Sequence, residues 1–308
     1  MPDERFLTPV VMLIYNRPDL TRKVFTEISR VTPKKLLVIA DGPHPDKPGD
    51  AESCKQARAI LSSINWECDV KIDFSENNLG LKKRVSSGLD WVFNQVEEAI
   101  VLEDDCMPNP KFFRFCEEIL GKYRDDERVS HVSGDNFQFG KNATPYSYYF
   151  SRYPHVWGWA TWKRAWQNYD VDMAEWPELR DKKWLQGFLE SRRASNFWNN
   201  NFEKTYSGQV DTWANQWLFA CWRKGALSII PCQNLVSNIG FGIEATHTRK
   251  GSRYTNMKTE EMRFPLTHPP GVVREKIADR YTEENIFSGK PIIIRAIRKL
   301  LRFVNVFR

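Results

Sequence analysis

Along the first part of the chain, short continuous apolar runs alternate with stretches in which apolar residues recur at helical spacing. Val10 to Tyr15, Leu36 to Ala40, Val70 to Phe74 and Ala99 to Leu102 read as strands. Asp19 to Ser29, Ala51 to Ser62 and Lys82 to Val96, with Val85, Leu89 and Val92 on one face, read as helices. This β-α-β rhythm predicts a mostly parallel sheet flanked by helices, with ligands at the carboxyl ends of its strands. Each of those ends carries polar residues: Asn16 and Arg17, Asp41 and Gly42, Asn77 to Gly80, and Glu103 to Asp105.

Beyond Asp105 the rhythm changes. Lys111 to Tyr123 reads as a helix, Val129 to Val132 as a strand, and Tyr146 to Val156 leads into the aromatic run from Trp157 to Trp162. Residues 163–210 are polar and helical, with Trp166, Trp176, Trp184 and Trp198 among them. A helix is expected from Asp211 to Lys224, then strands over Ala226 to Ile230 and Leu235 to Ile239. No internal repeat is present.

Composition narrows the class. Hydrophobic residues at 41% and charged residues at 27% of 308 positions are those of a globular protein. Twelve tryptophans are enough to build either large apolar contacts or a surface on which sugar rings stack. The six cysteines show neither CxxC nor zinc spacing, so reduced thiols are expected. No signal-peptide pattern precedes the first strand and no apolar run is long enough to cross a bilayer, so a cytoplasmic protein is expected. The formal charge of +6 lies wholly in residues 290–308, and a neutral body excludes a nucleic-acid groove.

The sharpest local feature is the apolar strand Ala99 to Leu102 running into Glu103, Asp104 and Asp105. Carboxylates at the end of a core strand call for a cation, and hard oxygen ligands suit Mg²⁺ or Mn²⁺, which in turn hold diphosphates. A solvated turn ahead of the next helix is the plainer alternative. No GxxxxGK[ST] element accompanies the acids, which removes a P-loop ATPase. Gly240 to Ala245 matches GxGxxA, but no amphipathic helix follows it, so a dinucleotide site is not expected there. His247 lies in the same loop, either exposed or placed to touch a diphosphate or metal.

Six landmarks in order, Tyr15-Asn16-Arg17, Ala40-Asp41-Gly42, Val101 to Asp105, Pro110-Lys111-Phe112-Phe113, Trp157-Gly158-Trp159 with Trp166, and Asp211-Thr212-Trp213, resemble those of nucleotide-sugar glycosyltransferases of the GT-A fold, nearest to N-acetylglucosaminyltransferase I and its bacterial relatives. The resemblance runs from about Pro9 to His247 and implies an α/β, Rossmann-like sheet with an aromatic-rich acceptor side. It implies that Asp105 ligates Mn²⁺ or Mg²⁺, that Arg17, Asp41, Glu103 and Asp104 contact the donor, and that Asp211, at the start of a helix, is the base of an inverting transfer. Capping of that helix is the alternative role for Asp211. Trp157 and Trp159 are the expected acceptor contacts, and His247 a further donor or diphosphate contact. The donor expected is a UDP-sugar such as UDP-GlcNAc, the acceptor a glycan or lipid-linked hydroxyl. A sugar nucleotidyltransferase and a non-catalytic carbohydrate-binding protein are the competing classes.

The expected organisation is a nucleotide-sugar half over 1–140, an acceptor and catalytic-base half over 141–250, an extension over 251–288 and a basic amphipathic helix over 289–308. In the last, Ile293, Ile294, Ile297, Leu300, Leu301, Val304 and Phe307 recur at helical spacing opposite Arg295, Arg298, Lys299 and Arg302. Such a helix suits an anionic membrane surface or a docking site on protein.

Overall fold

The computed structural model describes residues 6–141, 144–240 and 257–288. His247 and the tail over 290–308 lie outside the described residues.

The alternation opens with β1 (Val10–Ile14), α1 (Pro18–Val31), β2 (Lys35–Ala40), α2 (Asp50–Ala59), β3 (Asp69–Phe74), α3 (Leu81–Phe93) and β4 (Glu98–Glu103). There follow β5 (Cys106–Pro108), α4 (Pro110–Lys122), β6 (Val129–Ser133), β7 (Tyr148–Ser151) and β8 (Trp159–Trp162). The polar helical stretch becomes α5 (Lys163–Trp166), α6 (Trp176–Asp181), α7 (Trp184–Phe188) and α8 (Arg192–Tyr206). Last come α9 (Ala214–Arg223), β9 (Leu227–Pro231), β10 (Val236–Asn238) and α10 (Lys276–Thr282).

Among the described residues eight strands form one sheet in the order β3-β2-β1-β4-β8-β6-β9-β7. β1 to β4, β6 and β9 point one way; β7 and β8 run against them. The expected α/β class, a Rossmann-like, mostly parallel sheet between helices, is what the structure shows. β1 is apolar at every position because both its faces are covered. Val10, Met12 and Ile14 pack with Val24, Phe25 and Ile28 of α1 and with Phe112 and Phe115 of α4. Val11 and Leu13 face the other way, onto Val85, Leu89 and Val92 of α3 and onto Trp217 of α9. α3 lies so close to β2 that a Cβ on Gly88 would come within 2.6 Å of the Ile39 side chain.

Three differences from the sequence reading matter for the site. The second late strand, β10, is not in the main sheet but pairs antiparallel with β5. The late helix begins at Ala214, so Asp211 precedes it, and Thr212 Oγ1 accepts from Ala214 N at 3.2 Å. The aromatic run also forms a strand, β8, which inserts between β4 and β6.

Candidate functional site

Strand register builds the site. Leu13 lies beside both Ile39 and Glu103, so Tyr15 to Arg17, Asp41 and the acidic triplet emerge together on one rim of the sheet. A cavity of about 420 Å³ opens there, of a size that holds a small ligand. Arg17, Asp41, Glu103, Asp104 and Asp211 all line it, although they come from segments far apart in sequence.

Arg17 closes its floor. Its guanidinium bridges the two neighbouring carboxylates, with one nitrogen on Asp104 Oδ1 and the other 2.9 Å from Asp105 Oδ2. The remaining oxygen of Asp105 accepts from Asn238 Nδ2 at 3.3 Å and from Cys106 Sγ at 3.5 Å. The β5–β10 ribbon thus presses its backbone onto Asp105: Ile239 N donates to the Asp105 carbonyl at 2.8 Å, and a Cβ on Gly240 would fall 2.2 Å from the carboxylate. That close approach is the reason for glycine at 240.

Three carboxylates facing one guanidinium leave a buried negative excess. Burial pushes Glu103 up, and Asp105 and Asp104 add to the shift; burial also pushes Asp104 up, against the opposing pull of Arg17. Asp104 Oδ2 is buried without a hydrogen-bond partner. This donor set, hard oxygens with an orphaned carboxylate oxygen, fits a divalent cation. Among the described residues no three His, Cys, Asp or Glu side chains converge on one point. A cation here would therefore take only one or two protein oxygens and complete its shell from water or phosphate, as Mg²⁺ commonly does.

Asp41, expected as a donor contact, lines the cavity and also braces a loop. Its carboxylate accepts from the backbone N–H of Gly42 at 2.8 Å, Leu79 at 2.9 Å and Gly80 at 3.1 Å, so most of its hydrogen-bonding capacity braces the loop entering α3. Gly42 permits this, since a Cβ there would lie 2.3 Å from the backbone of Asn77.

Asp211 does not cap its own helix. Its Oδ1 accepts from Lys82 N at 3.2 Å in the first turn of α3, and its exposed carboxylate stands at the cavity wall beside Gly80. A helix N-terminus favours a carboxylate there.

The two expected acceptor contacts separate. Trp157 is half-buried and packs edge-on against Phe137, with ring centroids 5.0 Å apart. Trp159 has no exposed surface: it stacks on Trp213 at 5.4 Å and on His131 at 5.2 Å, inside the sheet–helix core. A ring with no accessible face cannot stack on a sugar, so Trp159 is a core residue.

Asp50 had no signal in the sequence beyond an acid at a helix start. Buried, it accepts from the Tyr15 hydroxyl, from Asn16 Nδ2 and from His44 N, the last at 2.8 Å. Burial alone would raise its pKa, but these donors together hold it below the ordinary range. It fixes Tyr15, Asn16 and His44, all of which line the cavity together with Lys47 and Arg84. The lining is amphoteric, with cations that suit phosphate and carboxylates that suit sugar hydroxyls or a metal.

No known protein family and no curated protein sequence matches the chain. Among solved structures it is similar to S. aureus TarS 1-349, at 10% identity over 53% of this chain and 49% of that one, with a TM-score of 0.36. It is also similar to HddC from Yersinia pseudotuberculosis, at 9% identity over 53% of this chain and 80% of that one, with a TM-score of 0.32. The chain thus spans about half the length of the TarS structure it matches. Likeness at this level carries no functional information, which resides in the site's own residues.

Proposed function

We propose that this protein is an inverting, metal-dependent glycosyltransferase that moves a sugar from a UDP-linked donor to a hydroxyl of a glycan or lipid-linked acceptor. The observation that supports it most is the gathering of Arg17, Glu103, Asp104 and Asp211 around one cavity at the carboxyl ends of β1, β2 and β4.

In this reading Asp105 would hold Mn²⁺ or Mg²⁺, with Asp104 beside it at the donor, and the ion would neutralise charge on a diphosphate leaving group. Arg17, already a counter-charge to both carboxylates, lies where it meets the same phosphates. Glu103 faces the donor sugar or ribose. Asp211 takes the proton from the acceptor hydroxyl as that oxygen bonds to the anomeric carbon and the bond to the diphosphate breaks with its electron pair. Its exposure at the cavity that Glu103 and Asp104 also line suits a base acting on an incoming acceptor hydroxyl, and inversion would follow from attack opposite the diphosphate. The basic amphipathic sequence over 290–308 would hold the enzyme at an anionic membrane surface, where a lipid-linked acceptor resides.

Calorimetric titration of UDP, GDP and CMP, with Mn²⁺ and then with a chelator, tests this. UDP is expected to bind with Mn²⁺ and to lose affinity in chelator or in Asp105→Ala. Binding of no nucleotide under either condition would overturn the proposal in favour of a sugar-binding protein.

A further inference from the structure

β3 ends the sheet, and among the described residues no strand lies beyond it. Its sequence is Asp69-Val70-Lys71-Ile72-Asp73-Phe74, with Val70 37% and Ile72 56% exposed. Edge strands are commonly blunted by a proline, a bulge or a covering segment, because their unpaired N–H and C=O groups invite another strand. β3 contains no proline, and its pairing with β2 runs from Asp69 to Phe74 without a register shift. The free edge is therefore regular along its whole length.

Hydrogen bonding fixes what that edge offers. Asp69 N donates to the Lys34 carbonyl at 2.8 Å and Ser75 N to the Ala40 carbonyl at 3.0 Å. In a parallel ladder the N–H and C=O of one residue point to the same neighbour, and the direction alternates along the strand. Asp69, Lys71, Asp73 and Ser75 therefore turn theirs to β2, and Val70, Ile72 and Phe74 turn theirs outward. Side chains divide by the same alternation. Val70 and Ile72 share a face with Phe74, which packs on the α1 side of the core. Lys71 and Asp73 lie on the α3 side, where Arg84 pairs with Asp73 and Lys35 with Asp69, while exposed Lys71 is left out of both pairs.

We propose that β3 pairs antiparallel with β3 of a second copy of this chain, about a two-fold axis at Ile72, so that the two sheets join edge to edge. That axis sets Ile72 opposite the partner's Ile72 and Val70 opposite the partner's Phe74. Every outward-turned residue then exchanges both of its hydrogen bonds with the residue it faces. On the other face Lys71 stands opposite the partner's Asp73, so an ion pair forms on each side of the axis. Opposed side chains must share a face, so a two-fold axis can fall only on a residue. An axis at Lys71 would set Lys71 against itself and Asp69 against Asp73, and an axis at Asp73 would set that acid against itself; like charges directly opposite are destabilising. Lys71 also protects the edge from unrelated strands, which leave it unanswered, whereas a second copy supplies the acid. The proposal is independent of the donor-site reading, and neither Lys71 nor Ile72 lines that cavity.

The full chain is followed by sedimentation velocity from about 1 μM to about 1 mM, the range of modest interfaces. Wild type is expected to pass from monomer to dimer. Ile72→Pro removes an N–H that faces the edge and not β2, so the dimer is lost and the fold is kept. Lys71→Glu, an exposed substitution that carries the test should the proline disturb folding, sets Glu against Asp73 on both sides of the axis. It weakens the dimer at least about tenfold, and high salt narrows the difference. The register is read by mild oxidation: Ile72→Cys cross-links to a dimer, because directly opposed residues have Cα atoms about 5.5 Å apart, whereas Val70→Cys does so no more than wild type. Circular dichroism and nucleotide titration at low concentration are unchanged in these variants. Wild type that stays monomeric throughout overturns the proposal. So does wild-type dimerisation by Lys71→Glu, or stronger cross-linking through Val70→Cys than through Ile72→Cys. Absence of UDP binding would sink the donor reading and leave the dimer result standing.

Discussion

Two regions of this molecule bury groups that ordinarily cost energy to bury, and they differ in how far the cost is offset. In the block formed by α6 to α9, Trp176, Trp198, Phe202, Phe219 and Trp222 pack as a cluster, with Trp198 and Trp222 5.2 Å apart. The polar atoms of its tryptophans are answered: Trp198 Nε1 by Glu283 at 3.1 Å, Trp222 Nε1 by the Arg152 carbonyl at 2.7 Å and Trp176 Nε1 by Glu203 at 3.0 Å. At the rim of β1, β2 and β4 the balance is left open, with Glu103 and Asp104 pushed up by burial and one oxygen of Asp104 unanswered. An aromatic block whose three indole N–H groups are answered is a foundation, although Glu283 keeps one buried oxygen without a partner. An unsatisfied acidic rim is what a site looks like when its missing partner is a ligand.

The contrast can be broken in graded ways. The largest expected effect is on rate: Asp211→Asn lowers kcat by about 10²- to 10⁴-fold, the span of general-base catalysis, and leaves nucleotide affinity unchanged. Wild-type turnover in that variant would remove the base assignment. Next, Trp198→Ala in the aromatic block costs about 3–5 kcal/mol of stability in urea unfolding. Nucleotide affinity under native conditions should hold, and a loss of affinity larger than the loss of folded protein would show that the block is not merely structural.

Acid tests the sheet–helix core instead, around Trp159 and Trp217. His131 is buried with both ring nitrogens committed, Nε2 donating to the His155 carbonyl at 2.8 Å and Nδ1 accepting from Trp217 Nε1 at 3.0 Å. Burial pushes His131 down to about 3 and His155 down to about 4. The unfolded chain therefore binds more protons than the folded one below the ordinary histidine range, so stability falls as pH drops from about 6.5. Each imidazole removes about 2 kcal/mol by pH 5, opposed in part by buried Asp135, whose pKa burial raises. Urea midpoints across that range check this, and a flat profile would contradict neutral burial.

The smallest effect is at the rim. Glu103, raised by burial, stays protonated into neutral pH, so the folded state loses stability as pH rises through that shifted value. Glu103→Gln should stabilise the metal-free protein, by at least about 1 kcal/mol more at pH 8 than at pH 5. Thermal melts at the two pH values distinguish this from a general packing change.

Much of the fold was legible because local pattern and tertiary environment agree. Val10 to Ile14 could only be a doubly covered strand, and Asn109-Pro110 with Phe112, Phe113, Cys116, Ile119 and Leu120 marks the start and buried face of α4. The acidic triplet and Arg17 could be read as polar residues at strand ends. Their mutual bridge could not, because it joins residues 88 positions apart.

Other placements were not legible, for a common reason. Trp159 and Trp157 are two residues apart in the same motif, yet one is enclosed by β8's neighbours and the other is half-exposed on the loop before it. Asp41 looked like a ligand contact and is largely spent on the backbone of a loop 38 residues later. Asp211, read as a base with capping of its own helix as the alternative, meets the first turn of α3.

The sequence by itself determined the elements of the first half, the parallel part of the sheet they form and the rim on which chemistry is concentrated, since periodicity and strand-end polarity are properties of short segments. Tertiary structure alone decided which carboxylates are bridged, which tryptophan is enclosed and what Asp211 touches. Those outcomes depend on burial and on contacts between distant segments, and neither is encoded by spacing along the chain.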